Sequence, residues 1–85
     1  MSWFWSAIAE AGVAKRLGNV IRALRFHAGE MTQGELGDRI GVTRQTVAAI
    51  EQGRYAPTLE TAFRIADVFG KRLDEVFSWR EEGAD

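Results

Sequence analysis

The spacing of Gln33, Leu36, Gly37, Ile40, Gly41, Val42, Val47 and Ile50 constrains this chain more tightly than any other feature. Leu36 and Ile40 stand one helical turn apart and share a face. Gly41 supplies the left-handed turn that a side chain would resist. Val42 is placed to plug the crevice under that turn, and Val47 and Ile50 form the matching face of a second helix. Two short helices joined by so few residues must cross at a steep angle. Gly37 sits inside the first helix, where glycine costs roughly 1 kcal/mol against alanine. A close approach of the two backbones accounts for it. Gly34 has no such account: it either faces solvent and weakens the helix or lets the backbone approach a phosphate. From these residues alone, a plain helical hairpin in a bundle stays open beside a more specialised motif.

The rest of the chain reads as helical, with Gly and Pro between periodic stretches and no strand-like alternation of any length. A short helix is expected over Ser2–Ala11, with Phe4, Ile8 and Ala11 on one face and Gly12 at its end. A longer one is expected from about Val13 to Ala28, with Leu17, Val20, Ile21, Leu24 and Ala28 as its apolar stripe. Thr32 and Glu35 form a capping box at the start of the next helix. Thr43 caps a helix running to about Gln52, and Gly53 ends it. Thr58 caps another, with Leu59, Ala62, Phe63, Ala66 and Phe69 inward and Gly70 at its end. Leu73 to Phe77 forms a last short helix. His27 reads as an exposed or surface-packed residue, and Phe63, Phe69 and Phe77 read as core.

Charge is unevenly spread. Residues 13 to 72 carry ten Lys or Arg and six Asp or Glu, a net of +4, whereas the remainder carries one Arg and six acids, a net of −5. That asymmetry suits a nucleic-acid-binding body with an acidic tail. The absence of cysteine excludes disulfides, thiolate metal sites and cysteine nucleophiles, and leans towards an intracellular setting. A single histidine removes the usual parts of histidine-based zinc and catalytic sites. No nucleophile–base pair, metal cluster or phosphate-cradling glycine loop is present in the sequence, so neither an enzyme nor a metal or other cofactor is expected. No segment is long enough to span a bilayer, and Met1–Ala11 lacks the basic leader of a secretory signal; a cytoplasmic protein is expected.

From Asn19 to Phe77 the chain resembles the Cro- and phage-repressor-like helix-turn-helix regulators, the XRE family. The residues that carry the resemblance are Thr32-Gln33, Leu36-Gly37, the run Ile40 to Val47, the run Ile50 to Leu59, and Leu73 to Phe77. The compact stand-alone members are the most similar. The resemblance implies an all-α fold: a five-helix repressor-like DNA-binding domain, here with an extra short N-terminal helix. It implies a symmetric dimer on palindromic or near-palindromic double-stranded DNA. Arg44, Gln45 and Thr46 are then expected in the major groove, Arg44 against guanine, Gln45 against adenine, and Ala49 against a thymine methyl. Gln33, Thr43, Arg54 and Tyr55 are expected at phosphates, Gln33 with the help of a helix N-terminus. Glu51 is expected to pair with Arg25. Gly37, Gly41, Val47 and Ile50 hold the geometry. The chain departs from the pattern at Gly29-Glu30-Met31, one residue longer than the common form, and at Arg72, where a serine cap is frequent.

The expected organisation is an aromatic extension at 1–12, a DNA-binding domain at 13–78 and an acidic tail at 79–85. The expected function is a sequence-specific, dimeric transcription regulator, a repressor or an activator, with repression favoured and helix 43–52 in the groove. The alternative is a protein-interaction module, such as an antitoxin or adaptor on the same fold, with Trp3, Phe4 and Trp5 as partner contacts. Those aromatics, together with Trp79, equally suit extra core or a dimer interface, with shallow membrane contact ranked last for want of basic residues.

Overall fold

The computed structural model describes residues 15–81. In chain order these form strand β1 (Lys15–Asn19), helices α1 (Ile21–His27), α2 (Gln33–Ile40), α3 (Arg44–Glu51), α4 (Leu59–Val68) and α5 (Leu73–Val76), and strand β2 (Phe77–Glu81). The strands pair antiparallel, with Lys15 opposite Glu81, Leu17 opposite Trp79 and Asn19 opposite Phe77. The expected helix over Ser2–Ala11 and the residues Trp3, Phe4 and Trp5 lie outside the described residues.

The ribbon corrects the all-α expectation: the described chain has five helices and a two-stranded antiparallel sheet. Leu17 continues the helical spacing of Val20, Ile21 and Leu24, yet the backbone of Lys15–Asn19 bonds to β2 instead. Val20 N–H donates to the Val76 carbonyl at 3.0 Å, which ties the start of α1 to the end of α5. The expected helix from Val13 therefore begins only at Ile21, and Val20 and Ala28 are exposed.

Local signals account for the middle of the chain. Thr32, Thr43 and Thr58 each have extended backbone and a hydroxyl that accepts a first-turn N–H, from Glu35, Thr46 and Thr61 respectively. At Thr32 the reciprocal contact is side chain to side chain, the hydroxyl donating to Glu35 Oε1 at 3.2 Å. At α5 the N-cap is Arg72, which has no oxygen to offer; Glu75 instead accepts the Arg72 N–H at 2.8 Å. The extra residue between α1 and α2 is absorbed by consecutive left-handed residues, Gly29 and Glu30, with Met31 N–H returning to the Arg25 carbonyl.

Where these helices meet, Ile21, Leu36, Ile40, Val47, Ile50, Ile65 and Val76 are almost fully buried, with Met31, Ala62, Ala66 and Phe77 around them. At about 1.5–3 kcal/mol for each large side chain, this cluster is the main stabilising term. Leu59 and Phe63 depart from expectation: they are 67% and 54% exposed, because Ala62, Ile65 and Ala66 form the inward row of α4. Among the described residues, no helix is long and apolar enough to cross a membrane.

Candidate nucleic-acid interface

The α2–α3 pair is set by a close backbone contact. A Cβ on Gly37 would stand 2.6 Å from the Val42 carbonyl oxygen and 3.3 Å from the Thr43 carbonyl carbon. Glycine alone lets the two chains approach this far. Gly41 ends α2 with φ of 79°, and its N–H and that of Val42 both return to the Gly37 carbonyl. Val42 packs half-buried against the core, and Val47 and Ile50 hold the inner face of α3.

The opposite side of α3 faces solvent. Arg44 and Gln45 are exposed on its first turn, while Thr46 and Ala49 are half-buried. Thr43 and Thr46 share a hydroxyl–hydroxyl hydrogen bond of 3.0 Å, so the two side chains fix one another. An open groove lined by Arg22, Arg25, Phe26, Gln33 and Arg44 runs beside this turn.

Arg25 and Glu51 form a nearly buried fork. Arg25 donates through Nε at 2.6 Å and Nη2 at 3.0 Å to the two Glu51 oxygens, and through Nη1 to the Met31 carbonyl at 2.7 Å. Only 14% and 8% of the two side chains is exposed. Gln33 Nε2 donates to the same carboxylate at 3.3 Å. The first turn of α2 and the last turn of α3 are thereby fastened to α1. The Gln33 amide nitrogen is turned towards Glu51, and of the first-turn backbone N–H groups of α2 that of Glu35 is taken by the Thr32 hydroxyl.

Past α3 the chain turns at Gly53, φ 74°. Gly53 N–H bonds to the Ile50 carbonyl and Arg54 N–H to that of Ala49, which closes the helix end. Arg54 is exposed, with Nε held by the Gln52 amide oxygen at 2.8 Å, and Tyr55 is half-exposed.

Asn19 is a positioning residue that sequence reasoning did not single out. Its Nδ2 donates to the Ile50 carbonyl at 3.0 Å and its Oδ1 accepts the Ile21 N–H at 3.1 Å. One side chain thus caps the end of α3 and the start of α1. Arg64, also missed, points at the end of α2, 3.4 Å from the Ile40 carbonyl. An Asn just before an apolar periodic run is a cap signal, but its partner 31 residues away leaves no local trace. The ion pairs among the described residues engage Arg25, Arg64 and Arg72. Arg16, Arg22, Arg44, Arg54 and Arg80 have no carboxylate partner there, and each is exposed or half-exposed.

The helix-turn-helix family model matches residues 21–76. An uncharacterized helix-turn-helix-type transcriptional regulator of Methanothermobacter thermautotrophicus is 47% identical over 64 residues, spanning 72% of this chain and 93% of its own. Another so named, YgzD of Bacillus subtilis, is 47% identical over 64 residues, 75% of this chain and 94% of its own. RstR, the cryptic phage CTXphi transcriptional repressor of Vibrio cholerae, is 35% identical over 65 residues, 76% of this chain and 58% of its own. A matched span that contains the packed α2–α3 pair and reaches from α1 through α5 makes this chain a member of the XRE family of helix-turn-helix, DNA-binding transcription regulators.

Proposed function

We propose that the protein is a sequence-specific repressor that binds duplex DNA as a symmetric dimer, with α3 in the major groove. The observation that carries this reading is the first turn of α3. There Arg44 and Gln45 stand exposed on a helix whose other face is buried and whose ends are pinned by Thr43 and Asn19. Arg44 has the donor fork for guanine O6 and N7, and Gln45 the donor–acceptor pair for adenine N6 and N7. Thr46 and Ala49 lie on the same helix within reach of base edges. Thr43, Arg54, Tyr55 and the first turn of α2 at Gln33 flank them as phosphate contacts, which fix register without reading sequence.

Dimerisation is supported by Leu59 and Phe63, exposed one turn apart on α4 immediately after the Arg54–Pro57 loop. Repression is supported by the likeness to RstR, whose name makes it a repressor. Binding-site selection from a random duplex library, followed by sedimentation of the complex, tests both sequence reading and symmetry. The expected result is a two-fold symmetric motif with half-sites about 34 Å apart, bound by two chains. An asymmetric site bound by one chain would overturn the dimer, and a library with no enriched site would overturn sequence reading. A reporter promoter carrying the selected site should fall in output when the protein is expressed; a rise would overturn repression.

A further inference from the structure

The ribbon that closes the fold carries an arrangement that stability does not account for. Arg16 and Arg80 are direct cross-strand partners, so their side chains project from the same face. Like charges placed opposite one another destabilise a strand pair. The other charged pair of the ribbon, Lys15 and Glu81, has opposite signs and lies on the opposite face. Among the described residues neither arginine has an acidic partner. Arg80 lies over Gly18, its guanidinium filling the space that a Cβ there would take, and it is half-buried. Arg16 is exposed, and its Nη2 is 3.8 Å from where a Cβ on Gly53 would stand, at the turn that ends α3 and leads to Arg54. The ribbon is fixed in that position, because Asn19 at the end of β1 donates to the Ile50 carbonyl.

We propose that this face of the ribbon, through Arg16 and Arg80, is an additional phosphate-binding surface that grips the DNA backbone beside the C-terminal end of α3. The proposal rests on the DNA-binding reading above and adds a contact outside the helix-turn-helix. Two guanidinium groups with no acidic partner among the described residues match the planar, two-oxygen recognition of phosphate. Together with Arg54, which follows the Gly53 turn that Arg16 approaches, they would line one backbone segment. A bare role for Arg16, as a cation near the negative end of the α3 dipole, would affect stability and not DNA.

The salt dependence of binding separates these roles. Affinity is measured across a salt series for wild type, Arg16→Gln, Arg80→Gln, the double variant of the two, and Arg16→Lys on a mixed-sequence duplex of about 30 base pairs and on a selected site, with thermal melts to verify folding. Each lost phosphate contact flattens the slope of log K against log salt by about 0.9. The expected result is that flattening for each Gln variant, about 1.8 for the double variant, and equal weakening on both duplexes. Arg16→Lys should retain the wild-type slope. If removal of Arg80 from Gly18 unfolds the ribbon, Arg16→Gln carries the test alone. A folded Arg16→Gln with wild-type slope overturns the proposal while leaving the DNA-binding reading intact. Wild type with no affinity for either duplex overturns both.

Discussion

Replacing Arg25 by Met is expected to destabilise the fold by about 3 kcal/mol. The substitution keeps most of the aliphatic volume and removes three donors: two to Glu51, at 2.6 and 3.0 Å, and one to the Met31 carbonyl at 2.7 Å. An exposed ion pair contributes less than about 1 kcal/mol, whereas removing one member of a buried pair costs about 3–5 kcal/mol because the other charge is stranded. With 14% and 8% side-chain exposure this pair sits near the buried limit. Glu51 keeps the Gln33 amide at 3.3 Å, which puts the cost at the lower end of that range. For a domain of this size, about 3 kcal/mol lowers Tm by about 12–24 °C. Urea and thermal unfolding followed by circular dichroism measure it. The double variant Arg25→Met with Glu51→Leu removes both charges, so it should be more stable than the sum of the single effects predicts, by about 2 kcal/mol. A loss under about 1 kcal/mol for Arg25→Met, or strict additivity in the cycle, would refute the view that this fork fastens α1 to the α2–α3 pair.

The two glycines of α2 should respond in opposite directions. Gly37→Ala forces a Cβ against the Val42 carbonyl oxygen and should cost about 2 kcal/mol or more, whereas Gly34→Ala meets nothing nearer than 3.8 Å and should gain about 0.5 kcal/mol from helix propensity; denaturant midpoints compare them. Asn19→Ala removes the side chain that holds the Ile50 carbonyl and the Ile21 N–H, for an expected loss of about 1–2 kcal/mol, with faster amide exchange localised to the last turn of α3. Arg54→Ala should weaken binding to all duplexes alike and flatten the salt slope by about 0.9, read by fluorescence anisotropy.

The elements legible in the sequence are those whose signals are local. Thr32, Thr43 and Thr58 announce helix starts through caps that act within three residues, and Gly41 and Gly53 mark stops through backbone geometry that needs no distant partner. The ribbon was illegible for the converse reason. Lys15–Asn19 and Phe77–Glu81 each become a strand only because the other is present at the far end of the described chain, and Leu17 with Leu24 imitated a helical stripe. The tertiary pairing overrode the local pattern. Phe63 shows a similar limit at the level of packing. It shares overlapping helical rows with Ala62 and Ala66, and only the direction from which the neighbouring helices approach decides that Ile65 is buried and Phe63 is not. At the candidate interface, the exposed turn with Arg44 and Gln45 follows from a cap and a period. The placements of Asn19, Arg16 and Arg64 do not, because each reaches an element far away in sequence.

Whether the first turn of α3 reads bases is decided by binding-site selection run in parallel with wild type, Arg44→Ala and Gln45→Ala. Each variant should keep the wild-type half-site spacing, lose about 1–3 kcal/mol on the wild-type site, and relax its preference at one base pair per half-site, a different one for each residue. Variants that are folded and select the wild-type motif with undiminished preference at every position would contradict base reading by that turn.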